Sequence, residues 1–516
     1  MRMRARPFAR RSSTWFGVPS AMHTMSFRVP ADLSESAAED LLKSSVAGGH
    51  DRAPTATRTE LRDGHLVLAR DLGESGPAYI PWPVPRVGRV VTPTTTLMFR
   101  ERPYELVAEL ARGKVNQVRN QYADWHAGGL AAAPDVEATL TRATHVFGSA
   151  ILEETAVAAD RQADEALAIA HEAADQLIHR YEDQVFRLRH QRQPKLDTAL
   201  GCRVGAAPPK GLDDAFRLAF NAACVPLTWR SVEPSESGYR WAEADAAVNW
   251  AVSRNLRVFG GPLIDFSAHG LPDYVLKLRG EPLSFKSLMC DYVETVVSRY
   301  RGKVSRWLIT AGPNGSDVLG IGEEDLIRLT AMAADAAWQI DSSLQLVFGL
   351  SQPWGDYLGR SGSEYSPFMF ADTLLRSGLP FAGVEVEWYF GTSPRGSYCR
   401  DLLGASQLLD LFGVLGVPVQ VSLAYPSATG PDPQADAAER PTRGGRWRDL
   451  TPAAQADWAN AFASLALCKS YVTGVFWDHL TDATPHRIPN GGLVDARGQL
   501  KPAFDRLRAL REAHLK

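Results

Sequence analysis

The stretch WRSVEP, from Trp229 to Pro234, decides the fold when it is combined with two segments further along the chain. The second segment is RYRGKVSRW (Arg299–Trp307), and the third runs from VTGVFWDHLTD to LVDARGQLKPAF (Val472–Phe504). Each segment adjoins or contains a run of apolar and β-branched residues with the composition of a buried strand. The three segments therefore mark three strands in one repeating series.

Strands and helices alternate from about residue 200 to the end of the chain. The predicted strands are 200–204, 222–229, 258–265, 304–310, 345–349, 383–389, 417–423 and 472–477. Amphipathic segments with apolar residues at helical spacing lie between them, at 242–253, 284–299, 323–339, 400–411 and 452–468. Eight strands that alternate with helices over about 300 residues predict an α/β fold, a (β/α)8 TIM barrel.

The sequence before the barrel divides into three predicted parts. Residues 1–24 are basic and are predicted to be a disordered leader. Residues 25–102 contain strand and turn signals and are predicted to form a small β-sandwich-like domain. Residues 103–196 form a helical segment, and the barrel occupies 197–516. The clearest helix is 153–191, which packs either on the rest of the chain or against a coiled-coil partner.

Composition excludes several classes of function. The chain of 516 residues has a formal charge of −3, which gives no basis for a nucleic-acid or membrane partner. The five cysteines are dispersed and contain no C-x-x-C pair, as expected for reduced thiols. The basic start lacks the apolar core of a signal peptide, so a cytoplasmic location is expected, with secretion left open. The oligomeric state stays unknown.

The three quoted segments together resemble the family 10 glycoside hydrolases, the xylanases. That family carries W-x-x-x-E-P after its second strand, RY-x-G-x-V-x-x-W before its fourth strand, and a closing F-W…L-x-D-x-x-G-x-x-KPA. All three patterns occur here in the family's order. The resemblance covers residue 200 to about residue 510 and implies a (β/α)8 barrel that acts on carbohydrate.

The family's two catalytic glutamates have no counterpart in the expected places. The resemblance puts the acid/base at Gly312 and the nucleophile at Leu423. Because neither residue can donate a proton or form a glycosyl-enzyme, xylan hydrolysis by the family's route is expected to be absent. Release of xylo-oligosaccharides from xylan by the pure protein would contradict this expectation.

Three other carboxylates are candidate catalytic residues, because each follows a predicted strand at the face where barrel sites form. They are Glu387 on strand six, Asp478 after strand eight and Asp265 at the end of strand three. Glu385 and Glu387, two residues apart, are expected to point to the same face. The resemblance aligns Glu387 with a sugar-binding Gln of the family. For each of the three, a structural hydrogen-bonding role is the alternative.

Further polar and aromatic residues near the strand ends are candidates for substrate binding. Tryptophan rings stack on the apolar faces of sugars, and for Trp477 the resemblance implies a substrate-facing ring. Trp388 should instead turn into the core, since it alternates with Glu387. The predicted substrate-binding set is Gln352, Trp354, Trp477, Asn314 and His486.

No metal and no cofactor are predicted. The spacing D-H-x-x-D-x-x-x-H, from Asp478 to His486, lies in no regular element that would hold ligands. The Pro/Gly-rich stretch 426–445 after strand seven is either a lid or a disordered surface segment.

Two hypotheses on function follow from the sequence. One is a carbohydrate-active protein of the glycoside hydrolase type, acting on or binding a polysaccharide or oligosaccharide, with a non-standard carboxylate site around Glu387. The alternative is a catalytically inactive barrel that serves as a carbohydrate-binding or scaffold protein. A carbohydrate is the expected ligand in both cases.

Overall fold

The computed structural model describes residues 23–50, 52–71, 73–361, 363–442 and 450–516. Most of the leader predicted at 1–24 lies outside these ranges. The first strand within the described residues begins at His23. Within the described ranges, no helix is both long enough and apolar enough to cross a membrane.

The N-terminal part contains two small, mainly antiparallel sheets and one helix. One sheet has the spatial order Arg58–Arg62, His65–Arg70, His23–Arg28, Tyr104–Glu105, in which only the last pairing is parallel. The other has the order Val46–Ala47, Ala78–Val84, Gly88–Pro93. The helix Glu35–Ser44 begins where the Ser34 side chain accepts a hydrogen bond from the Ala37 amide.

Three helices follow, at Leu106–Ala127, Pro134–Leu152 and Ala156–Arg192. The third is the predicted long helix; it begins at Ala156 because the Thr155 side chain caps its first turn. Ala163 and Leu167 on this helix join the apolar core of the N-terminal sheets, whereas Leu177 joins the core of the barrel. The helix therefore packs within the molecule, which favours the first of the two predicted alternatives.

A buried ion pair also links the helical segment to the barrel. Lys114, 1 % exposed, contacts the carboxylate of Asp401, which caps the helix Leu402–Gly413. His171 of the long helix approaches the same carboxylate at 3.1 Å. Although burial acts to raise the pKa of Asp401, the charges of Lys114 and His171 hold it well below its usual range.

The rest of the chain forms a closed barrel of parallel strands surrounded by helices, which confirms the predicted (β/α)8 fold. The strands are Ala199–Arg203, Ala222–Val225, Arg257–Gly260 with Ile264–Asp265, Arg306–Ala311, Gln345–Leu350, Phe381–Tyr389, Val419–Ala424 and Val472–Trp477. The main surrounding helices are Lys210–Ala219, Ala242–Ser253, Pro282–Arg299, Glu323–Ile340, Pro367–Leu375, Leu402–Gly413, Pro452–Cys468 and Pro502–His514. Shorter helical turns occupy Trp229–Val232, Asp273–Leu276, Pro313–Gly315 and Leu358–Ser361, and two-residue strands Thr392–Ser393 and Arg440–Pro441 pair above the barrel.

Two strand boundaries differ from the sequence prediction. The second strand ends at Val225, because Trp229 opens a short helix instead of ending the strand. The third strand is interrupted after Gly260. At Gly261 (φ +101°) a β-carbon would lie 2.2 Å from the Leu308 carbonyl oxygen, so only glycine permits this close approach of two strands.

All five cysteines lie in the described part of the chain, and none forms a disulfide. Four of them are buried and Cys290 is half-buried. This agrees with the prediction of reduced thiols.

Candidate functional site

The sixth barrel strand supplies the acidic groups of the candidate site. Glu385, Glu387 and Tyr389 alternate along it, and in register with them on strand seven lie Gln420, Ser422 and Ala424. Alternation in a strand sends one set inward and the other outward. Both glutamates therefore share one face of the strand and point into the barrel, while Trp388 lies fully buried against Phe462 in the helix layer.

Arg203 neutralises the deeper glutamate. Its Nη2 donates to Glu385 Oε1 at 2.5 Å, and both side chains are less than a tenth exposed. Beside this pair lies an enclosed cavity of about 10 Å³, bounded by residues that include Phe259, Trp307 and Phe476. Such a space holds about one water molecule. The deep layer therefore has a structural role and no room for a sugar.

The upper glutamate, Glu387, is covered by the loop that follows strand eight. Arg487 of that loop places Nη1 at 3.3 and 3.2 Å from the two carboxylate oxygens of Glu387. Its guanidinium also lies 5.1 Å from the centre of the Tyr389 ring. The next residue, Ile488, is fully buried in a cluster with Tyr389 and Ala424. In this conformation the loop shields Glu387 from solvent, and the residue is 4 % exposed.

A chain of hydrogen bonds links the barrel interior to the same loop. Arg203 Nη1 donates to the Tyr389 hydroxyl at 3.0 Å, and that hydroxyl donates to Asp478 Oδ1 at 2.6 Å. The other oxygen of Asp478 lies 3.1 Å from His479 Nδ1. His479 Nε2 lies 3.3 Å from Asp482 Oδ1. The chain fixes Asp478 from two sides, through a tyrosine and a histidine.

The two carboxyl groups Glu387 and Asp478 differ in acidity. Burial raises the pKa of Glu387 to about 7; Arg487 and Arg203 oppose this, whereas the charges of Asp265 and Asp478 add to it. For Asp478 burial acts in the same direction, but the hydrogen bond and charge of His479 outweigh it and hold the pKa well below its usual range. At neutral pH one carboxyl group is therefore partly protonated and the other is ionised.

Asp265, the third candidate acid, ends the split third strand and is half-buried. Its charge acts on both Glu387 and Arg487, so the three predicted carboxylates form one electrostatic group with this arginine. The catalytic roles given to these residues stay predictions.

Two of the predicted substrate-binding residues need correction. Trp477 is 1 % exposed and faces the helix layer, where it packs edge-on against Trp458 and donates to the Gly491 carbonyl oxygen. The cause is strand alternation, since its neighbours Phe476 and Asp478 point inward. Asn314 is also 1 % exposed, and its amide both donates to the backbone of Ser351 and accepts from it.

The remaining members of that set also make internal contacts. The Gln352 amide donates to the carbonyl oxygens of Pro394 and Gly396, which holds the loop after strand six. Trp354 is half-buried and lies 5.3 Å from the ring of Phe390. His486 lies 2.9 Å from Asp432 Oδ2. A role for these residues in binding a sugar stays a prediction.

The positions aligned with the family's catalytic glutamates differ in geometry. Gly312 adopts φ +61° at the end of strand four, and a β-carbon there would lie 3.3 Å from Ser351 Oγ. Leu423 is in register with Trp477 and therefore points outward, so the inward positions of strand seven are Ser422 and Ala424. Neither of these residues is a carboxylate.

The described part of the stretch after strand seven is held in place; positions 443–445 of the predicted loop lie outside the described residues. Arg395 pairs with Asp436, and it donates to Glu439 at 2.7 Å. The Asp432 carboxylate accepts a hydrogen bond of 2.7 Å from the Asn490 amide. These contacts join the loops that follow strands six, seven and eight.

Sequence reasoning missed the partners that define the site. The hydrogen bonds and charges of the site come from five further residues: Arg203, Tyr389, Arg487, Asp432 and Lys501. A signal existed for one of them, because Lys501 belongs to the closing KPA pattern. Its Nζ donates to Asp482 Oδ2 at 2.5 Å.

Comparison with known proteins agrees with this fold. Residues 223–310 match the family described as Glycosyl hydrolase family 10. Endo-1,4-beta-xylanase C of Paenibacillus barcinonensis is 32% identical over 216 residues, 37% of this chain and 19% of that protein. Endo-beta-1,4-xylanase Xyn10C of Cellvibrio japonicus is 28% identical over 119 residues, 23% of this chain and 18% of that protein. The chain thus spans about a fifth of the length of these relatives.

The solved structures that resemble this chain include a GH10 protein from Paenibacillus barcinonensis. It is 21% identical, the match covers 63% of this chain and 98% of that chain, and the TM-score is 0.46. Native xylanase 10B from Thermotoga maritima is 15% identical, with 63% and 97% covered and a TM-score of 0.46. The family match and the relatives agree with the motifs: the matched part of the barrel is similar in sequence to family 10 glycoside hydrolases.

Proposed function

We propose that this xylanase-like barrel is a carbohydrate-active protein of the glycoside hydrolase type, with Glu387 as its proton donor. The observation that carries the proposal is a pair of carboxyl groups, Glu387 and Asp478, that act on each other electrostatically but have different charged partners, Arg487 for Glu387 and His479 for Asp478. The pKa of Glu387 is raised to about 7, whereas that of Asp478 is held low. Glycoside hydrolysis uses such a pair, one carboxylic acid and one carboxylate, with acidities set apart by their surroundings.

Each group has a definite task in this proposal. Protonated Glu387 donates its proton to the glycosidic oxygen of the leaving sugar. Asp478, kept ionised by His479 and Tyr389, supports the positive charge that develops on the sugar ring. Because Arg487 and Ile488 cover Glu387, the loop after strand eight has to move before a sugar can reach the acid.

A second candidate function is carbohydrate binding without cleavage. The observation that favours it is the covering loop itself, in which Arg487 takes both oxygens of Glu387. A glutamate paired in this way can accept hydrogen bonds from sugar hydroxyls after the loop moves, without donating a proton.

One experiment separates the two functions. The purified chain is screened for hydrolysis of aryl glycosides and for binding to an oligosaccharide array, together with Glu387→Gln. For an enzyme, we expect hydrolysis that declines above pH about 7 and falls by about 10²–10⁴-fold in the variant, the usual contribution of a general acid. The matched control is Asp410→Asn, which also removes one carboxylate. Asp410 lies outside the barrel, where it pairs with Lys469 and Tyr471, and its variant should keep the activity.

The other outcomes are equally definite. Binding without hydrolysis that Glu387→Gln weakens would support the second function. Hydrolysis or binding unchanged in Glu387→Gln would show that the site lies elsewhere. A chain that neither binds nor cleaves any glycan in the screen would overturn both proposals.

A further inference from the structure

Two loops above the barrel bring four metal-ligand side chains together. His479, Asp482 and His486 follow strand eight, and their potential ligand atoms all lie within 4.8 Å of one another. Asp432, from the loop after strand seven, adds a fourth, because its Oδ2 lies 2.9 Å from His486 Nε2. Each of the four side chains is about a tenth exposed or less. Linear spacing concealed this group, since Asp432 is separated from His486 by 54 positions.

The outer contacts of both histidines are those of metal ligands. His486 Nδ1 donates to the Thr484 carbonyl oxygen at 2.8 Å, and His479 Nδ1 lies 3.1 Å from the Asp478 carboxylate. A histidine that binds a metal usually donates its other ring N–H to a carbonyl or a carboxylate. That bond fixes the tautomer and leaves the lone pair on Nε2.

The two Nε2 atoms leave a place for a cation, beside the Lys501 ammonium that already donates to the other oxygen of Asp482 at 2.5 Å. With Nδ1–H donated to Thr484, Nε2 of a neutral His486 is an acceptor, and it faces a carboxylate oxygen of Asp432 at 2.9 Å. His479 repeats the arrangement between Asp478 and Asp482, with Nε2 at 3.3 Å from Asp482 Oδ1. Two acceptors in contact need a proton or a metal ion between them. Protons on both rings would place two cations face to face, with ring centres 4.2 Å apart.

We propose that His479, Asp482, His486 and Asp432 bind one divalent transition-metal ion of the zinc type. Two imidazoles and two carboxylates form a four-ligand set that suits zinc. Cu(I) is disfavoured because the set has no thiolate, and Ca²⁺ and Mg²⁺ are disfavoured because two of the ligands are imidazoles.

The consequence of the site is structural. All four ligands are protein side chains, which is typical of a closed, non-catalytic site. The ion would tie the loop after strand seven to the loop after strand eight, and the ligand His486 directly precedes Arg487, the residue that covers Glu387. This inference does not depend on the proposed sugar chemistry.

The test uses the full chain, treated with a chelator and dialysed, and titrated with ZnCl₂ by calorimetry. We expect one zinc ion per chain and a higher unfolding temperature with zinc than without it. Asp432→Asn and His486→Gln each remove one ligand and should weaken binding by more than the roughly 10–100-fold that loss of an outer contact costs. The matched control is His514→Gln. His514 forms the other close histidine pair, with His190 at 2.9 Å, and its variant should bind zinc like the wild type.

Each alternative result has a clear meaning. If the wild-type chain takes up no zinc when zinc and protein are at equal concentrations, the proposal is wrong. Two protonated histidines would then explain the close contacts between the histidines and the aspartates. Zinc binding that survives in His486→Gln, or that is lost in His514→Gln, would place the ion elsewhere and also overturn it. If a ligand variant fails to fold, Co²⁺ added to the wild type decides the question. The intense visible absorption of a four-coordinate ion supports the site, and the weak spectrum of a hydrated ion refutes it.

Discussion

Replacing Glu387 by Gln should remove a specific pH dependence from the stability of the protein. The folded chain holds the pKa of Glu387 at about 7, whereas the ordinary value is 4.5. Each pH unit of that difference corresponds to about 1.4 kcal/mol, so ionising this side chain costs the folded state about 3 kcal/mol. Because the folded-state pKa is the raised one, this part of the stability is complete below pH about 4.5. It is lost as the pH rises through about 7.

The assay is urea unfolding of the wild type and Glu387→Gln from pH 4.5 to pH 8.5. The free energy of unfolding of the wild type, relative to the variant, should fall by about 3 kcal/mol over this range. The changed contact with Arg487 adds an offset that does not vary with pH, since an arginine stays charged throughout. Ser422→Ala, at the neighbouring position on strand seven, removes no titrating group and should run parallel to the wild type. A difference between wild type and Glu387→Gln that stays constant with pH would refute the reasoning.

Three further substitutions test the packing around the site by the free energy of unfolding. Arg203→Met should cost about 3–5 kcal/mol because it leaves the buried charge of Glu385 without its partner. If the double variant Arg203→Met/Glu385→Gln is no more stable than Arg203→Met alone, this reason is wrong. Trp477→Ala should cost about 3–5 kcal/mol through the cavity it leaves. The folded fraction of this variant should bind any glycan ligand as the wild type does. Weaker glycan binding by the folded variant would contradict the outward orientation of Trp477. Lys114→Met should cost about 3–5 kcal/mol because it leaves the buried charge of Asp401 with His171 but without the lysine. A loss below about 1 kcal/mol would show that the lysine does not hold the helical segment and the barrel together.

The strand pattern of the barrel could be predicted from the sequence because it depends on local periodicity. Alternation along strand six put Glu385 and Glu387 on one face and Trp388 on the other, and the structure has them so. The same rule, applied to strand eight, would have corrected the orientation of Trp477, since Asp478 directly follows it and points inward.

The partners of the carboxylates could not be predicted in this way. Arg203 lies 182 positions from Glu385, and Arg487 lies 100 positions from Glu387. Asp432 and His486 likewise lie 54 positions apart on two different loops, and they meet only because of the course of those loops. Loop paths depend on contacts among distant residues, and no periodic pattern in the sequence encodes them.

The sequence by itself determined the class of fold, because strand and helix periods are local and the three quoted motifs recur in order. It also determined which side chains of a strand share a face. Only the tertiary structure decided which charges meet. Closing the barrel brings strands one, six and eight to one centre, where Arg203, Tyr389 and Asp478 join. Burial at that centre, a property of the whole fold, sets the acidity of Glu387.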